Sequence, residues 1–529
     1  MRKLLYISSF FLAILTIPGL QGAPTEPELF LTKYIKDGQL DKARELSSDH
    51  MKQFHLKSST SDKLQSFSGY LTVDEAVNSN IFFWFFPALE NPATAPVVMW
   101  MSENTGFSCL KGVFLETGPF YLDENLELKD RNHSWVQTHS MLYIDAPVGV
   151  GFSFTDKEEG YARNTQEESA EVYEALIQFF TLFSDYAKND FYLAGELAAA
   201  DHAPRIVSVI HDNNEKVPKV KINLKGMMFG SPVFNMPVQL HFGKYFYNMG
   251  LIDVEQRDMI IAEEEKVLAL IKEKKFKEAH DILIKIVFYP NNMYQQFSGL
   301  ESSLNILANK PPKEIGRFTK FMDSNEVHNY LHVGLHKFSL INWKVHDQFN
   351  NEIMTFDGSS LESIMDKGYK VLIFSGQFDP ISVPPGVRNA IEALKWKGAE
   401  DFKKAPRTIW KVKDDVAGYA RSFGDLTYVL VRNSGRYVMM DNPEWGYELA
   451  KHFTSGKSFD IKSVKKERNA GTSNRWTHPK PQHPTRVVRE TSKPGTPGNI
   501  LAAFEQQKQG FDQEELNKLL VGFVRLIAC

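Results

Sequence analysis

The chain has 529 residues, 43% of them hydrophobic and 24% charged, with a formal net charge of −4. That balance is typical of a soluble globular protein, large enough for one big domain with an insertion or for two domains. It excludes disordered, collagen-like and multi-span membrane chains, and it gives no reason to expect a nucleic-acid partner. With only two cysteines, Cys109 and Cys529, a disulfide-stapled scaffold and a multi-thiolate zinc site are excluded as well, and no metal or cofactor is expected.

In chain order, Arg2 and Lys3 precede an apolar run from Leu4 to Leu20, and small residues follow at Gly22 and Ala23. Charged, apolar, small is the order of a secretory signal peptide, here residues 1–22. An uncleaved anchor is the competing reading, but a run of about 17 residues broken by Pro18 and two serines is short for a span. No later segment approaches such a length, so no membrane span is expected after cleavage. In the secretory pathway Asn132-His133-Ser134 is an acceptor sequon, which makes Asn132 the expected glycosylation site.

Residues 23–66 are polar and charge-mixed and read as a loose N-terminal segment. From Phe67 the pattern changes. Ile81–Phe86, Val97–Met101 and Ser140–Ile144 are short apolar runs rich in aromatic and β-branched residues and bounded by turn formers, as buried strands are. Val172, Leu176, Phe179, Phe180 and Phe183 fall at helical spacing, after which Phe191–Ala194, Ile222–Phe229 and Val371–Phe374 read as further strands. Strands alternating with helices predict an α/β sheet, largely parallel and covered on both faces, built from residues 67–239 and 346–458. Between them, residues 240–345 carry Glu and Lys at three- and four-residue offsets among Ile, Leu and Val, which predicts a mainly helical insertion. Residues 459–499 are proline-rich and basic, with nine Lys or Arg against two acids over 461–499, and read as a disordered linker. A last amphipathic helix is expected in 500–529, with Leu516, Leu519, Leu520, Phe523 and Ile527 on one face.

Phe191-Tyr-Leu-Ala-Gly195-Glu-Leu-Ala-Ala199 places a strand, a glycine and a helix start in the order of a nucleophile elbow, where G-x-S-x-G aims a serine into an active site. Here Leu197 holds the serine position and Ala199 the second small one. By itself the pentapeptide is an ordinary strand–helix turn. Around it, however, the chain resembles the serine carboxypeptidase family, and in particular its vitellogenic-like branch. The resemblance runs from about Phe67 to Phe453 and rests on Phe67-Ser-Gly-Tyr-Leu-Thr-Val73, Asn80-Ile-Phe-Phe-Trp-Phe-Phe-Pro87, Leu115-Glu-Thr-Gly-Pro119, Ser140-Met-Leu-Tyr-Ile-Asp-Ala-Pro-Val-Gly149 and Val371-Leu-Ile-Phe-Ser-Gly-Gln-Phe-Asp379. It implies an α/β-hydrolase fold with a helical cap, secretion or lysosomal delivery, and an ancestral exopeptidase that removes C-terminal residues at acid pH.

The family's chemistry needs a serine to attack, a histidine to take its proton and an aspartate to orient that histidine. The resemblance carries the serine onto Leu197, the aspartate onto Asp379 and the histidine onto Arg436. Only the aspartate is kept, and an arginine, protonated well above neutral pH, is no general base. The family's glycine-rich oxyanion loop falls on Trp100-Met-Ser-Glu-Asn-Thr-Gly106, so Glu103 and Asn104 replace the glycine pair. Side chains restrict that backbone, and a carboxylate there opposes an oxyanion. Ser102 replaces the family's amide side chain, while Glu116 and Glu196 match acidic positions that in the family hold the substrate's terminal carboxylate. Arg436 is expected either to assist anion binding there or to fill a dead site by pairing with Asp379. Ser108, Cys109 and His202 lie near the motif, but none has a base and a donor pair at a shared centre, so packed or polar structural roles are expected.

These observations favour an inactive carboxypeptidase homologue with a peptide-binding or regulatory role. Peptide C-termini, an active relative or a second copy of the chain are the expected partners. Two alternatives stay open: a carboxypeptidase working through substitute residues, and a structural protein of secretions or reproductive fluid.

Overall fold

The computed structural model describes residues 27–49 and 64–457, apart from 104, 217, 289–290 and 350–351, together with 459. The expected signal peptide, the basic linker and the final helix lie outside the described residues. Among the described residues thirteen strands form: β1 (Ser48–Asp49), β2 (Ser66–Asp74), β3 (Ser79–Phe86), β4 (Val97–Trp100), β5 (Phe120–Leu122), β6 (Leu128–Asp130), β7 (Ser140–Ile144), β8 (Phe191–Glu196), β9 (Leu224–Gly230), β10 (Lys370–Gly376), β11 (Thr408–Val412), β12 (Asp415–Phe423) and β13 (Leu426–Val431). Eleven of them make one sheet in the order β1-β2-β3-β7-β4-β8-β9-β10-β13-β12-β11, and β5 pairs with β6. The six central strands, β7 to β13 in that order, are parallel, and both flanks are antiparallel.

Alternation along a strand explains the two-sided core. Phe82, Trp84 and Phe86 of β3 pack into the apolar cluster on one face of the sheet, whereas Ile81, Phe83 and Phe85 join the cluster on the other. The helices Thr165–Leu182 and Ala199–Asn214 cover the second face, burying Val172, Leu176, Phe179, Ile206 and Ile210 there.

Between β9 and β10 lie helices at Phe242–Asn248, Val254–Lys272, Phe276–Val287, Met293–Ser298, Glu314–Met322, Asn325–Tyr330 and Trp343–Phe349, which make up most of the segment read as a helical insertion. It supplies most of a third apolar cluster and ties back to the hydrolase core through Leu115, Leu197, Ile381, Val383 and Tyr437. The sheet resumes at Lys370, where the sequence pattern placed it.

The N-terminal segment differs from its expected looseness. Residues 27–49 hold two helices, Thr32–Lys36 and Leu40–Ser47, and the edge strand β1. Leu31 and Ala43 are buried against the second face, and the Leu31 amide donates to the Tyr70 carbonyl at 2.9 Å. Helices this short have no stability of their own and no readable period; they form because the sheet gives their few apolar residues somewhere to go.

Candidate functional site: a filled hydrolase centre

Open α/β sheets bind and react at the carboxyl ends of their parallel strands. Here β4, β8, β10 and β13 deliver Glu103, Leu197, Asp379 and Arg436, each in the connection just after its strand. The elbow after β8 is fully formed. Leu197 sits at φ 50°, a left-handed conformation that a leucine adopts only at a cost of roughly 1–3 kcal/mol. Its amide donates to the Gly230 carbonyl at 3.1 Å, its carbonyl accepts from Val233 at 2.9 Å, and the helix Ala199–Asn214 follows. Gly195 is required by close approach, because a Cβ there would stand 2.7 Å from that of Ala199. The strained turn that presents a nucleophile is therefore kept, and what it presents is an apolar side chain wholly buried against the cap.

The donor pair of an oxyanion hole comes from the residue after the nucleophile and from the neighbouring loop. The first of these is the Ala198 amide, and it is spent: it donates to the backbone carbonyl of Glu103 at 3.0 Å. An acceptor oxygen thus stands where the anionic oxygen of a tetrahedral intermediate has to be. The loop is fixed in that position from both sides. The Met101 amide donates to Ala194 of β8 at 2.7 Å, and Gly106, at φ 89°, accepts from the Asn342 amide of the cap at 2.8 Å. Asn104 lies outside the described residues.

Around this carbonyl is a buried ionic cluster. Arg436, 1% exposed, pairs with the Glu103 carboxylate, whose Oε2 also accepts from the Tyr437 hydroxyl at 2.8 Å. Lys111 Nζ lies 3.0 Å from Glu103 Oε1 and 3.2 Å from Glu116 Oε1, and 4.1 Å from the centre of the Tyr437 ring. Burial alone would raise the Glu103 carboxyl, but Lys111 and Arg436 overcome it and hold the group at about 2. Glu116 and Glu196 go the other way. Burial raises both, Glu196 well above its ordinary range with Glu116 beside it adding to the effect, and among the described residues neither Glu196 oxygen has a hydrogen-bond partner. The cluster therefore holds two cations, one firm carboxylate and two carboxyls biased towards the protonated form, all of them buried.

The expected Arg436–Asp379 pair is not what forms. Among the described residues, the ion pair of Arg436 is with Glu103. Asp379 Oδ1 instead accepts from the backbone amides of Ile381 at 2.7 Å and Ser382 at 3.1 Å, and burial raises its carboxyl. The reason is local: two amides already hold Asp379 in its own loop, whereas Glu103 is presented to the guanidinium together with Tyr437 and Lys111. Lys111 and Tyr437 were missed by sequence reasoning. The available signal was a lone lysine inside Phe107–Leu115, an otherwise apolar stretch, since a buried cation demands a buried acid.

The neighbouring Cys109, Ser108 and His202 have other partners. Cys109 is buried with its sulfur 3.6 Å from the Asp145 carboxylate, and burial together with that charge keeps it a thiol. Ser108 donates to the same carboxylate at 2.6 Å. His202, a polar position in the helix after the elbow, is buried, with Nδ1 2.7 Å from Glu168 Oε2 and 3.5 Å from Thr105 Oγ1. A relay needs its two partners on opposite ring nitrogens, and here both face the same one. The cavity beside it, lined by Ser102, Thr105, Glu168 and His202, is about 20 Å³, room for one water. Asn132 is exposed, whereas the hydroxyl of Ser134 is buried and donates to the Thr117 carbonyl at 3.1 Å. Among the described residues no group of His, Cys, Asp and Glu is arranged to hold a metal ion, and no helix is long and apolar enough to cross a membrane.

The strand order, the elbow after β8 and the cap inserted ahead of β10 define an α/β-hydrolase fold. The serine carboxypeptidase family profile matches residues 57–456. The chain belongs to that family. It is 38% identical over 436 residues to the venom serine carboxypeptidase of Apis mellifera, covering 82% of this chain and 91% of that one. It is 33% identical over 444 residues to the vitellogenic carboxypeptidase of Aedes aegypti, covering 83% and 91%. Among solved structures it resembles the prohormone-processing carboxypeptidase Kex1 of Saccharomyces cerevisiae, with a TM-score of 0.70 at 20% identity over 78% of this chain and 96% of that one, a likeness of fold.

Proposed function

We propose that this family member is catalytically inactive and that its hydrolase centre has become a structural ionic core. The observation that carries the reading is the Ala198 amide bonded to the Glu103 carbonyl at 3.0 Å. With Leu197 at the elbow and Arg436 at the base position, nucleophile, base and oxyanion donor fail together, and no one of them is replaced nearby. Hydrolysis of an amide needs all three functions, each contributing orders of magnitude in rate. The purified protein is expected to release no amino acid from blocked dipeptides at acid or neutral pH; turnover above that of a heat-denatured control would overturn the reading.

What remains for the protein is binding, to peptides or to an active relative, through surfaces outside the centre. Glu116, Glu196, Glu103 and Arg436 are all buried, so they are not open to a peptide C-terminus. Peptides with free and with amidated C-termini should therefore bind equally weakly in equilibrium titrations, and a marked preference for the free carboxylate would restore a role to the old subsite. Delivery through the secretory pathway, with a glycan on the exposed Asn132, belongs to the same proposal. A mass decrease on treatment with an N-glycosidase, absent in Asn132→Gln, checks it.

A further inference from the structure

A second concavity of about 640 Å³ shares none of the ionic cluster's residues. Its walls are the cap helix Phe242–Asn248, the helix Pro384–Ala393 and the outward faces of β12 and β13. That volume is within the range of pockets that enclose small organic ligands, about 300–1,000 Å³.

Its charge is one-sided. Arg388, Arg407 and Arg421 line it against one acid, Glu392. Arg388 Nε and Arg421 Nη1 share the same oxygen, Glu392 Oε1, at 2.9 and 3.5 Å, so one carboxylate serves two guanidinium groups. Arg407 has no ion pair among the described residues; its guanidinium carbon lies 3.4 Å from the centre of the Tyr419 ring, a cation–π contact that supports the group from one side. The floor is aromatic and apolar, with Tyr419, Tyr428, Phe402 and Ile391. Burial pushes the Tyr428 phenol up to about 12, so it stays a neutral hydrogen-bond donor. At the inner end the Tyr245 hydroxyl is already committed, donating to the Gln377 carbonyl at 2.7 Å.

We propose that this pocket binds a small aromatic anion, a carboxylate or phosphate monoester whose acid group meets the arginines, Arg407 among them on its Tyr419 support, and whose ring lies against Tyr428. Guanidinium forks match the two oxygens of such groups, and stacking on a tyrosine reduces the freedom the arginine loses on binding. An uncompensated pair of positive charges in a half-enclosed, partly apolar site favours an anion over water, and the ring face favours one carrying an aromatic group. The inference rests on the pocket alone and stands apart from the inactivity of the centre.

The test is calorimetric titration of the full chain with phenyl phosphate, benzoate, inorganic phosphate and benzyl alcohol. Phenyl phosphate or benzoate should bind saturably below about 1 mM, with inorganic phosphate and benzyl alcohol each at least about tenfold weaker. The stronger of the two aromatic acids identifies which acid group the pocket prefers. Raising the salt from about 50 to about 300 mM should weaken binding several-fold. Arg407→Ala and Arg421→Ala, each checked for an unchanged melting temperature, should each lower the affinity by about tenfold, Arg407→Lys should recover part of it, and Arg163→Ala on a remote surface should change nothing. Absence of saturable binding by both aromatic acids overturns the proposal. So does unchanged affinity in both arginine-to-alanine variants, and equal affinity for inorganic phosphate removes the aromatic part of it.

Discussion

The ionic cluster under the cap and the arginine pocket beside β12 use the same residue types to opposite ends. In the cluster Arg436 is 1% exposed and tied to Glu103, which is tied in turn to Lys111 and Tyr437. In the pocket the side chain of Arg388 is 55% exposed, and it shares one acid with Arg421, while Arg407 has no ion pair among the described residues. Charges that satisfy one another inside a core are spent, because the field that would attract a ligand is already neutralised. Charges left in excess at a concave surface are available. A hydrolase centre works because its donors and its base are held but not satisfied, and here Glu103 engages two groups at once: its carbonyl takes the Ala198 amide and its carboxylate takes Arg436.

Several substitutions sharpen or break this contrast. The largest expected effect is that of Arg436→Ala, which leaves Glu103 buried with one of its two cations gone. Losing one partner of a buried pair costs about 3–5 kcal/mol, whereas Arg407→Ala at the pocket should stay within about 0.5 kcal/mol, both read from urea denaturation. Equal, small losses at the two sites would mean that the cluster is not a paired core. Next comes Leu197→Ser. Removing a wholly buried leucine that ties cap to core should cost about 2–5 kcal/mol. It should restore no hydrolysis, even combined with Arg436→His, because the Glu103 carbonyl still occupies the Ala198 amide. Activity in that double variant would show that the occupied amide is not the obstacle.

Smaller effects follow from pH. Glu103 is held at about 2, below the ordinary carboxyl value of about 4.3. Its contribution to stability is therefore complete above that value and lost as the pH falls through about 2. Glu171 has the opposite sign: burial raises it to about 8, so its contribution is full below about 4.3 and lost as the pH rises through about 8. Urea midpoints across this range should fall on the alkaline side, and Glu171→Gln, which keeps an acceptor for the Val148 amide, should flatten that fall. An unchanged alkaline slope would assign the loss to other groups.

Much of this was legible in the sequence, for identifiable reasons. Buried strands with both faces covered read as apolar runs, so β3, β4, β7 and β10 were placed to within two residues at each end, and the elbow was recognisable with a leucine in it because Gly195 and Ala199 mark the turn. What stayed hidden depends on convergence in space. That Arg436 turns to Glu103 and not to Asp379 is decided by two backbone amides on Asp379 and by Tyr437 and Lys111 on Glu103, groups scattered over more than three hundred positions. The pocket gathers residues from three helices and two strands, none of them in a motif. The N-terminal helices carry too few turns to show a period and owe their form to the sheet they cover.

The central claim is that no activated nucleophile exists at this centre. Intact-mass measurement of the purified wild-type protein after incubation with a fluorophosphonate, at about pH 5 and about pH 7.5 to cover both acid and neutral optima, tests it most directly. The expected result is an unmodified mass at both pH values, beside full labelling of an active serine carboxypeptidase treated in parallel. A stoichiometric adduct on any one residue of the folded chain would contradict the account.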